Sequence, residues 1–328
     1  MAMNSNEHFK GAAMVLKHLR YALMGLLVCG SWVQANPLNY ELTPQEIAPN
    51  TWVVTGLTED FTPQNGGDIV NTAFIVTAEG VVVLDTGPSK RYGEALRRVI
   101  REVTEQPIAR VYNSHHHPDH FLGNQAFADV DIYALAATID LIKSRGEAYT
   151  ENMYRMVGDW MRGTDVLLPN RIQTPGQERI GEHSLRFMAF SGHSGPQSDL
   201  VILDETTGVL FAFDLVFYDR ALTTPDTPGL MQWLEDIDAL SSLEFTTLVP
   251  GHGEVATSRE PLDQMRAYLT WLDQVLTDSA AQGLVATEVM RVDIPERFSS
   301  VALAAQELQR TVTHLYPKYE DLFFAENF

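Results

Sequence analysis

Residues 113–124 read NSHHHPDHFLGN, Asn113 through Asn124, and put four of the chain's ten histidines within six positions, with Asp119 among them. The stretch follows the apolar run IARVYN, which reads as a strand, so the cluster falls on the loop where that strand ends. In the pattern H-x-H-x-D-H, alternate side chains can point different ways: His115 and His117 toward one ion, Asp119 and His120 toward a second. Imidazole combined with carboxylate suits zinc, and also iron or manganese. His116 and Pro118 fall between the ligands, and His116 is read as a support or an idle residue, the dispensable one of the four histidines. Alone, such a tract is as readily an adventitious metal-binding surface as a built site.

The rest of the chain changes that balance. Asp85 ends the apolar run VVVLD, His193 lies in FSGHSGPQSD after SLRFMAF, Asp214 ends VLFAFD, and His252 lies in LVPGHG. Five separate strands thus each deliver a His or Asp where they run out into a loop, and ligands placed at strand ends can converge. The glycines beside them allow close backbone approach. Between these runs, SKRYGEALRRVIREV, a segment from Ala136 to about Arg145, another from Glu151 to Arg162, and LMQWLEDIDALSSL carry helical spacing. Beyond Ser258 the text is mostly helical, ending in SSVALAAQELQRTVTHLY and an aromatic tail. Strand-rich then helical text occurs twice, which predicts an α/β fold of two similar halves packed face to face.

Composition narrows the function. The chain has 328 residues, 45% of them hydrophobic, so it can bury a sizeable core, and its formal net charge is −20. Such a surface repels phosphate backbones and anionic lipid, so nucleic acid is excluded as an expected partner. Residues 1–35 read as a secretory signal peptide: Lys10, Lys17 and Arg20 precede an apolar run of 13 residues, and a small-residue exit follows at Ala35. That run is too short to span a bilayer, which needs roughly 20 residues, so no stable membrane insertion is expected once the leader is removed. Cleavage takes away Cys29, the only cysteine, and leaves histidine and carboxylate as the strong metal ligands.

In order along the chain, GVVVLDTG, SHHHPDH, SGHS, VLFAFD and LVPGHG resemble the five motifs of the metallo-β-lactamase superfamily, over about Trp52 to Gly283. The resemblance implies a four-layer αβ/βα sandwich with a C-terminal helical extension: a leader over 1–35, the sandwich over 36–283, the extension over 284–328. It implies that His115, His117 and His193 hold one metal, that Asp119, His120 and His252 hold the other, and that Asp214 bridges them. Asp85 matches a position that supports the ligand loop. The cofactor expected is two Zn2+, with iron or manganese open. Within the superfamily the text is most similar to the quinoprotein relay system zinc metallohydrolases, called SoxH-like, which implies a periplasmic location and a quinoprotein partner.

The chemistry implied is hydrolysis of a small-molecule ester, thioester, lactone or amide by a hydroxide shared between two ions. Asp119 would orient the nucleophile and move protons, and Tyr218, four residues past Asp214, would donate to an oxyanion. One alternative is a β-lactamase acting on β-lactam antibiotics; another is a non-catalytic metal-binding or quinoprotein-partner protein. Three other features are left open: FTPQNGGD as a flap or a plain glycine turn, the Met153–Met161 face as pocket lining or core, and His183 and His314 as structural or solvent-facing.

Overall fold

The structure, a computed structural model, describes residues 38–327; the expected leader lies outside them. Its first sheet has seven strands in sequence order: β1 (Pro44–Ala48), β2 (Thr51–Val54), β3 (Thr72–Thr77), β4 (Gly80–Leu84), β5 (Ile108–Tyr112), β6 (Asp131–Ala134) and β7 (Arg171–Ile172). A second sheet runs β12-β11-β10-β9-β8, from β8 (Gly176–Ile180), β9 (His183–Phe190), β10 (Asp199–Asp204), β11 (Val209–Phe217) and β12 (Thr247–His252). The helices are α1 (Lys90–Val103), α2 (Pro118–Phe121), α3 (Ala136–Val157), α4 (Leu230–Ser241), α5 (Glu260–Ala281), α6 (Ala286–Val289) and α7 (Ala304–Asn327).

Alternation along the strands sorts the side chains into three apolar layers. Ala73, Ile75, Val82 and Leu84 of the first sheet meet Leu185, Phe187, Ile202 and Phe211 of the second, forming the inner core. Their neighbours Phe74, Val81 and Val83 point the other way, onto Leu96 and Ile100 of α1 and Met153 of α3. On the far side, Val201, Leu203 and Leu210 pack under Trp233 and Ile237 of α4, Leu269 and Leu272 of α5, and Leu308 and Leu315 of α7. Helix, sheet, sheet, helix is the four-layer sandwich anticipated above. The C-terminal helical extension packs in the same layer as α4 and α5.

Strand direction then positions the functional loops. β4 and β5 pair in parallel, joined through α1, and β11 and β12 pair in parallel, joined through α4. A parallel pair linked by a crossover helix sends both C-terminal ends to the same edge. The segments after β4 and β5 therefore emerge together, as do the ends of β11 and β12.

Local differences from the sequence reading have physical causes. Among residues 38–50, which no strand or helix was expected to include, β1 pairs antiparallel with β2, and Tyr40 is buried against Tyr92 and Trp160. The two helices expected after Ala136 are one helix of 22 residues, α3. Gly146, between the two expected segments, is buried in it facing Val166, where a Cβ would come within 2.9 Å of Val166 Cγ2. The aromatic tail continues α7 through Pro317. Among the described residues, no helix is long and apolar enough to cross a membrane.

Candidate metal centre

All seven expected ligands converge. One ligand atom each from His115, His117, His193 and Asp214 lies within 4.8 Å of the others, and Asp119, His120 and His252 form a second such group. Asp214 stands between the groups: Oδ1 is 3.1 Å from His120 Nε2, and Oδ2 is 3.4 Å from both His193 Nε2 and His252 Nε2. Asp119 Oδ2 lies 3.4 Å from His252 Nε2 and 3.8 Å from His120 Nε2. Each group thus has the spacing of a candidate metal site, with Asp214 within reach of both.

A metal-ligating imidazole presents a bare nitrogen, and its other nitrogen is held as a donor by the surrounding protein. His252 Nδ1 donates to the Ile69 carbonyl at 2.7 Å, His120 Nδ1 to Asp85 Oδ2 at 2.7 Å, and His115 Nδ1 to Ser114 Oγ at 3.0 Å. Each then turns Nε2 inward. His117 is reversed: Nε2 donates to Asp226 Oδ2 at 3.1 Å, and Nδ1 faces His193 Nε2 at 3.1 Å. His193 is positioned by packing, its ring against Trp233 and Phe217, while its backbone N–H donates to Asp199. The inward atoms His115 Nε2, His120 Nε2 and Asp214 Oδ1 are buried without a hydrogen-bond partner. Buried polar atoms are rarely orphaned unless something else satisfies them, so the donor set suits a pair of divalent ions.

The electrostatics point the same way. Burial would raise the Asp214 carboxyl, but His120, His252 and His115 outweigh it and hold it well below the usual carboxylate range. Burial also disfavours a charged His120, yet Asp214, Asp119 and Asp85 keep it well above an ordinary histidine. Burial and the neighbouring histidines push His115 well down, and burial takes His193 down to about 4. His115 and His193 thus present neutral imidazole to the ionised Asp214 carboxylate at neutral pH, the form that ligates metal.

The chain builds this locally. Asp85 sits at φ +59°, an uncommon conformation for a non-glycine residue. Its carboxylate takes the Ser114 N–H and Oγ–H, both at 2.7 Å, besides His120, and so ties the end of β4 to the histidine loop. Phe213 lies at φ +47° where the β11–β12 register shifts, a bulge that re-aims Asp214. Gly251 must be glycine, because a Cβ there would stand 1.8 Å from Asp214 Oδ1. Asn71 donates to the Pro250 and Gly253 carbonyls at 2.9 and 2.7 Å and pins the turn that carries His252.

One expectation is corrected. Tyr218 does not line the cavity above the cluster: its side chain pairs with Glu260 at the start of α5, so it has no place as an oxyanion donor. Of the two readings of His116, support or idle, the contacts favour support. The residue is fully buried, with Nε2 3.3 Å from Asp226 Oδ2. Asp226 is the residue the sequence reading missed, since nothing in LTTPDTPG marks it. One carboxylate there takes His116, His117, Arg145 and Tyr149. His116, His117 and Asp226 also have metal-ligand spacing, but Arg145 already neutralises that carboxylate, which makes the group a brace for His117.

The open features also fall into place. Phe61, the first residue of the FTPQNGGD loop, and Ile69, just after it, line the cavity, and the loop is fastened by Asn65 and by Trp160 Nε1 donating to the Pro63 carbonyl at 2.9 Å. It is an anchored wall. On α3, Met156 faces the cavity, Met153 is core and Tyr154 is exposed; Trp160 and Met161, in the turn after α3, are core. His183 is structural, donating to Asp204 at 2.7 Å. The cavity holds about 250 Å³, floored by His117, Asp119, Asp214 and His252 and walled by apolar side chains and the buried Arg220.

Comparison with known proteins agrees with this geometry. The sequence profile of the metallo-beta-lactamase superfamily matches residues 65–252, and the chain belongs to that superfamily, whose members are metal-dependent hydrolases. It is 21% identical over 282 residues to the linear primary-alkylsulfatase of Pseudomonas sp. (strain ATCC 19151), a match covering 73% of this chain and 53% of that protein. The chain thus spans about half the length of that curated relative. Among solved structures it is similar in fold to a metallo-beta-lactamase from Pontibacter korlensis (TM-score 0.58, 22% identity, 70% of this chain and 99% of that one). It is also similar to the inverting sec-alkylsulfatase Pisa1 from Pseudomonas sp. (TM-score 0.63, 20% identity, 85% and 50%).

Proposed function

We propose that this chain is a dinuclear zinc hydrolase that opens an ester, thioester, lactone or amide carbonyl in a small, partly apolar and anionic substrate. The observation that carries this reading is the convergence of seven His and Asp side chains at one cavity, four of them on its floor, with the inward atoms His115 Nε2, His120 Nε2 and Asp214 Oδ1 unpartnered. His115, His117 and His193 would hold one ion, Asp119, His120 and His252 the other, and Asp214 both. Bound divalent ions supply Lewis acidity and lower the pKa of water toward neutrality.

The chain's own residues do the rest. The Asp119 carboxylate, at the cavity floor beside His252, is placed to accept a proton from the attacking water and return it to the leaving group. Phe61, Ile69 and Met156 keep bulk water from the reacting bond, which strengthens every charge interaction there. Arg220, a buried cation in the wall, suits the anionic end of a substrate.

That cation, beside the apolar side chains of Phe61, Ile69 and Met156 in the cavity wall, favours a second reading, hydrolysis of an alkyl sulfate ester, in keeping with the alkylsulfatase relative. The exported setting and the quinoprotein partner belong to the proposal as well, on the motif resemblance and the leader; cell fractionation and co-purification test them. Metal quantification followed by a panel of thioesters, lactones, alkyl sulfates and a chromogenic cephalosporin tests the chemistry. Asp119→Asn is expected to lower turnover by roughly a hundredfold or more. Unchanged turnover in that variant sinks the mechanism, and a lactam rate far above all others would make the protein a lactamase.

A further inference from the structure

We propose that one face of α7, formed by Glu307, Arg310 and Thr311, is a clasp that sets the walls of the substrate cavity and governs how tightly substrate is held. The inference rests on reading the cavity above the ligand cluster as the substrate site. Helix α7 lies beyond residues 65–252 matched by the superfamily profile, and every expected metal ligand is delivered without it. Its contribution is to the walls.

The three residues are spaced i, i+3 and i+4, so they share one face of the helix. Glu307 is 1% exposed; its Oε1 accepts from Arg310 NH1 at 2.7 Å and lies 3.5 Å from Arg220 NH2. Arg310 reaches with its other nitrogen, NH2, to Asp60 Oδ2 at 2.5 Å. Asp60 Oδ1 in turn accepts the backbone N–H of Phe61 at 2.9 Å. Thr224 Oγ1 donates to Thr311 Oγ1 at 3.1 Å, and Thr224 lies between the lining residues Thr223 and Pro225. The backbone just before α7 adds two bonds: Ala302 N–H donates to the Asp219 carbonyl at 2.8 Å, and Ala221 N–H to the Ala302 carbonyl at 2.9 Å. One helix face therefore fastens both the Phe61 wall and the 219–226 wall.

Arg220 needs this most. A guanidinium that is only 4% exposed requires a partner of opposite charge. The cavity lining offers three competing carboxylates, Asp119, Asp214 and Asp226. Glu307 keeps Arg220 in the wall and away from groups that the ligand cluster uses. Glu307 and Arg310 are positioning residues: they act through Arg220 and Phe61.

The test uses the full-length, metal-loaded protein with Glu307→Gln, Arg310→Gln and the conservative Arg310→Lys. Metal content is expected to be unchanged. Backbone hydrogen exchange should quicken over 57–68 in Arg310→Gln and over 219–226 in Glu307→Gln. With p-nitrophenyl butyrate and decyl sulfate as probes, KM should rise roughly tenfold while kcat stays within about twofold, as expected for a lost charge-assisted hydrogen bond that shapes binding. Arg310→Lys should restore most of the affinity. Unchanged exchange, or a fall in kcat that tracks lost metal, overturns the proposal. If the wild type hydrolyses neither probe, the functional reading fails for those substrates and the exchange measurement alone judges the clasp: local quickening supports it, and none sinks it. If Glu307→Gln unfolds, Arg310→Gln, at a half-exposed residue, carries the test on the same criteria.

Discussion

At the scale of single residues, the centre depends on side chains that fix the ligands as much as on the ligands. Asp226 shows this most clearly, because its carboxylate holds the outer nitrogen of His117 and leaves Nδ1 bare on the cluster side. An amide at that position can offer His117 an N–H as readily as an oxygen, and it loses the charge that Arg145 matches. Asp226→Asn is expected to weaken metal binding at the His115–His117–His193 group by about ten- to a hundredfold. Titration against a chelating dye checks this, and unaltered affinity would mean that packing alone orients His117. The same residue shows where sequence reading stops. His115, His117, Asp119 and His120 were legible because four ligands fall within six positions of one loop. Asp226 carries no such mark: its partners Arg145 and Tyr149 are about eighty residues away and meet it only when α3 packs beside the loop before α4.

At the scale of elements, local signals place most boundaries, and tertiary contacts override the rest. Ser89 caps α1: its Oγ accepts the Tyr92 N–H at 3.1 Å and also meets Tyr40 Oη at 3.2 Å. Removing that cap with Ser89→Ala is expected to lower stability by about 1 kcal/mol. A urea midpoint with unchanged slope would read it directly, and no shift would show that packing of Leu96 and Ile100 alone holds the helix end. The continuous α3 is the opposite case. Gly146 lowers intrinsic helicity there, and packing against Val166, which leaves no space for a side chain, keeps the helix unbroken. β1 escaped the sequence reading because PQEIA lacks strict alternation and has a bulge between Glu46 and Ala48; it is an edge strand specified by its partner β2.

At the scale of the whole molecule, burying so many histidines couples stability to pH. His116 and His193 are each pushed down to about 4, and His115 well below its ordinary value, all chiefly by burial. A histidine whose folded pKa is depressed binds its proton more readily in the unfolded chain. Each of the three therefore costs stability as pH falls from about 6.5 toward 4. His120 is shifted the other way, so its contribution is present below its unfolded pKa and is lost only as pH rises through its raised folded value. Among these histidines the balance is a loss of stability in metal-free protein between about pH 6.5 and pH 4, while Asp199 and Asp68, raised by burial to about 7 and about 6, gain stability over the same range and make the net loss shallower. Bound metal should steepen that loss, because protons then compete with the ions for the same nitrogens. Urea unfolding across that range, with and without zinc, measures both effects, and a flat profile in the metal-free protein would contradict the burial argument.

The sequence by itself determined the layers and the histidine and aspartate side chains that converge at the cavity. Period-two apolar runs alternating with helical spacing dictate sheets covered by helices, and histidine or aspartate at five strand ends dictates where a polar centre can form. Both are local properties, written within a few residues of where they act. Only the tertiary structure decided which nitrogen of each imidazole faces the cluster, that Tyr218 turns away to Glu260, that His116 is held against Asp226, and that Arg310 of α7 reaches Asp60 beside the cavity wall. Those outcomes depend on hydrogen bonds and packing between segments tens to hundreds of residues apart, such as His252 with Ile69 or Arg310 with Asp60. Such contacts leave no periodic or short-range trace in a single chain, because each is satisfied by whichever element the fold brings alongside.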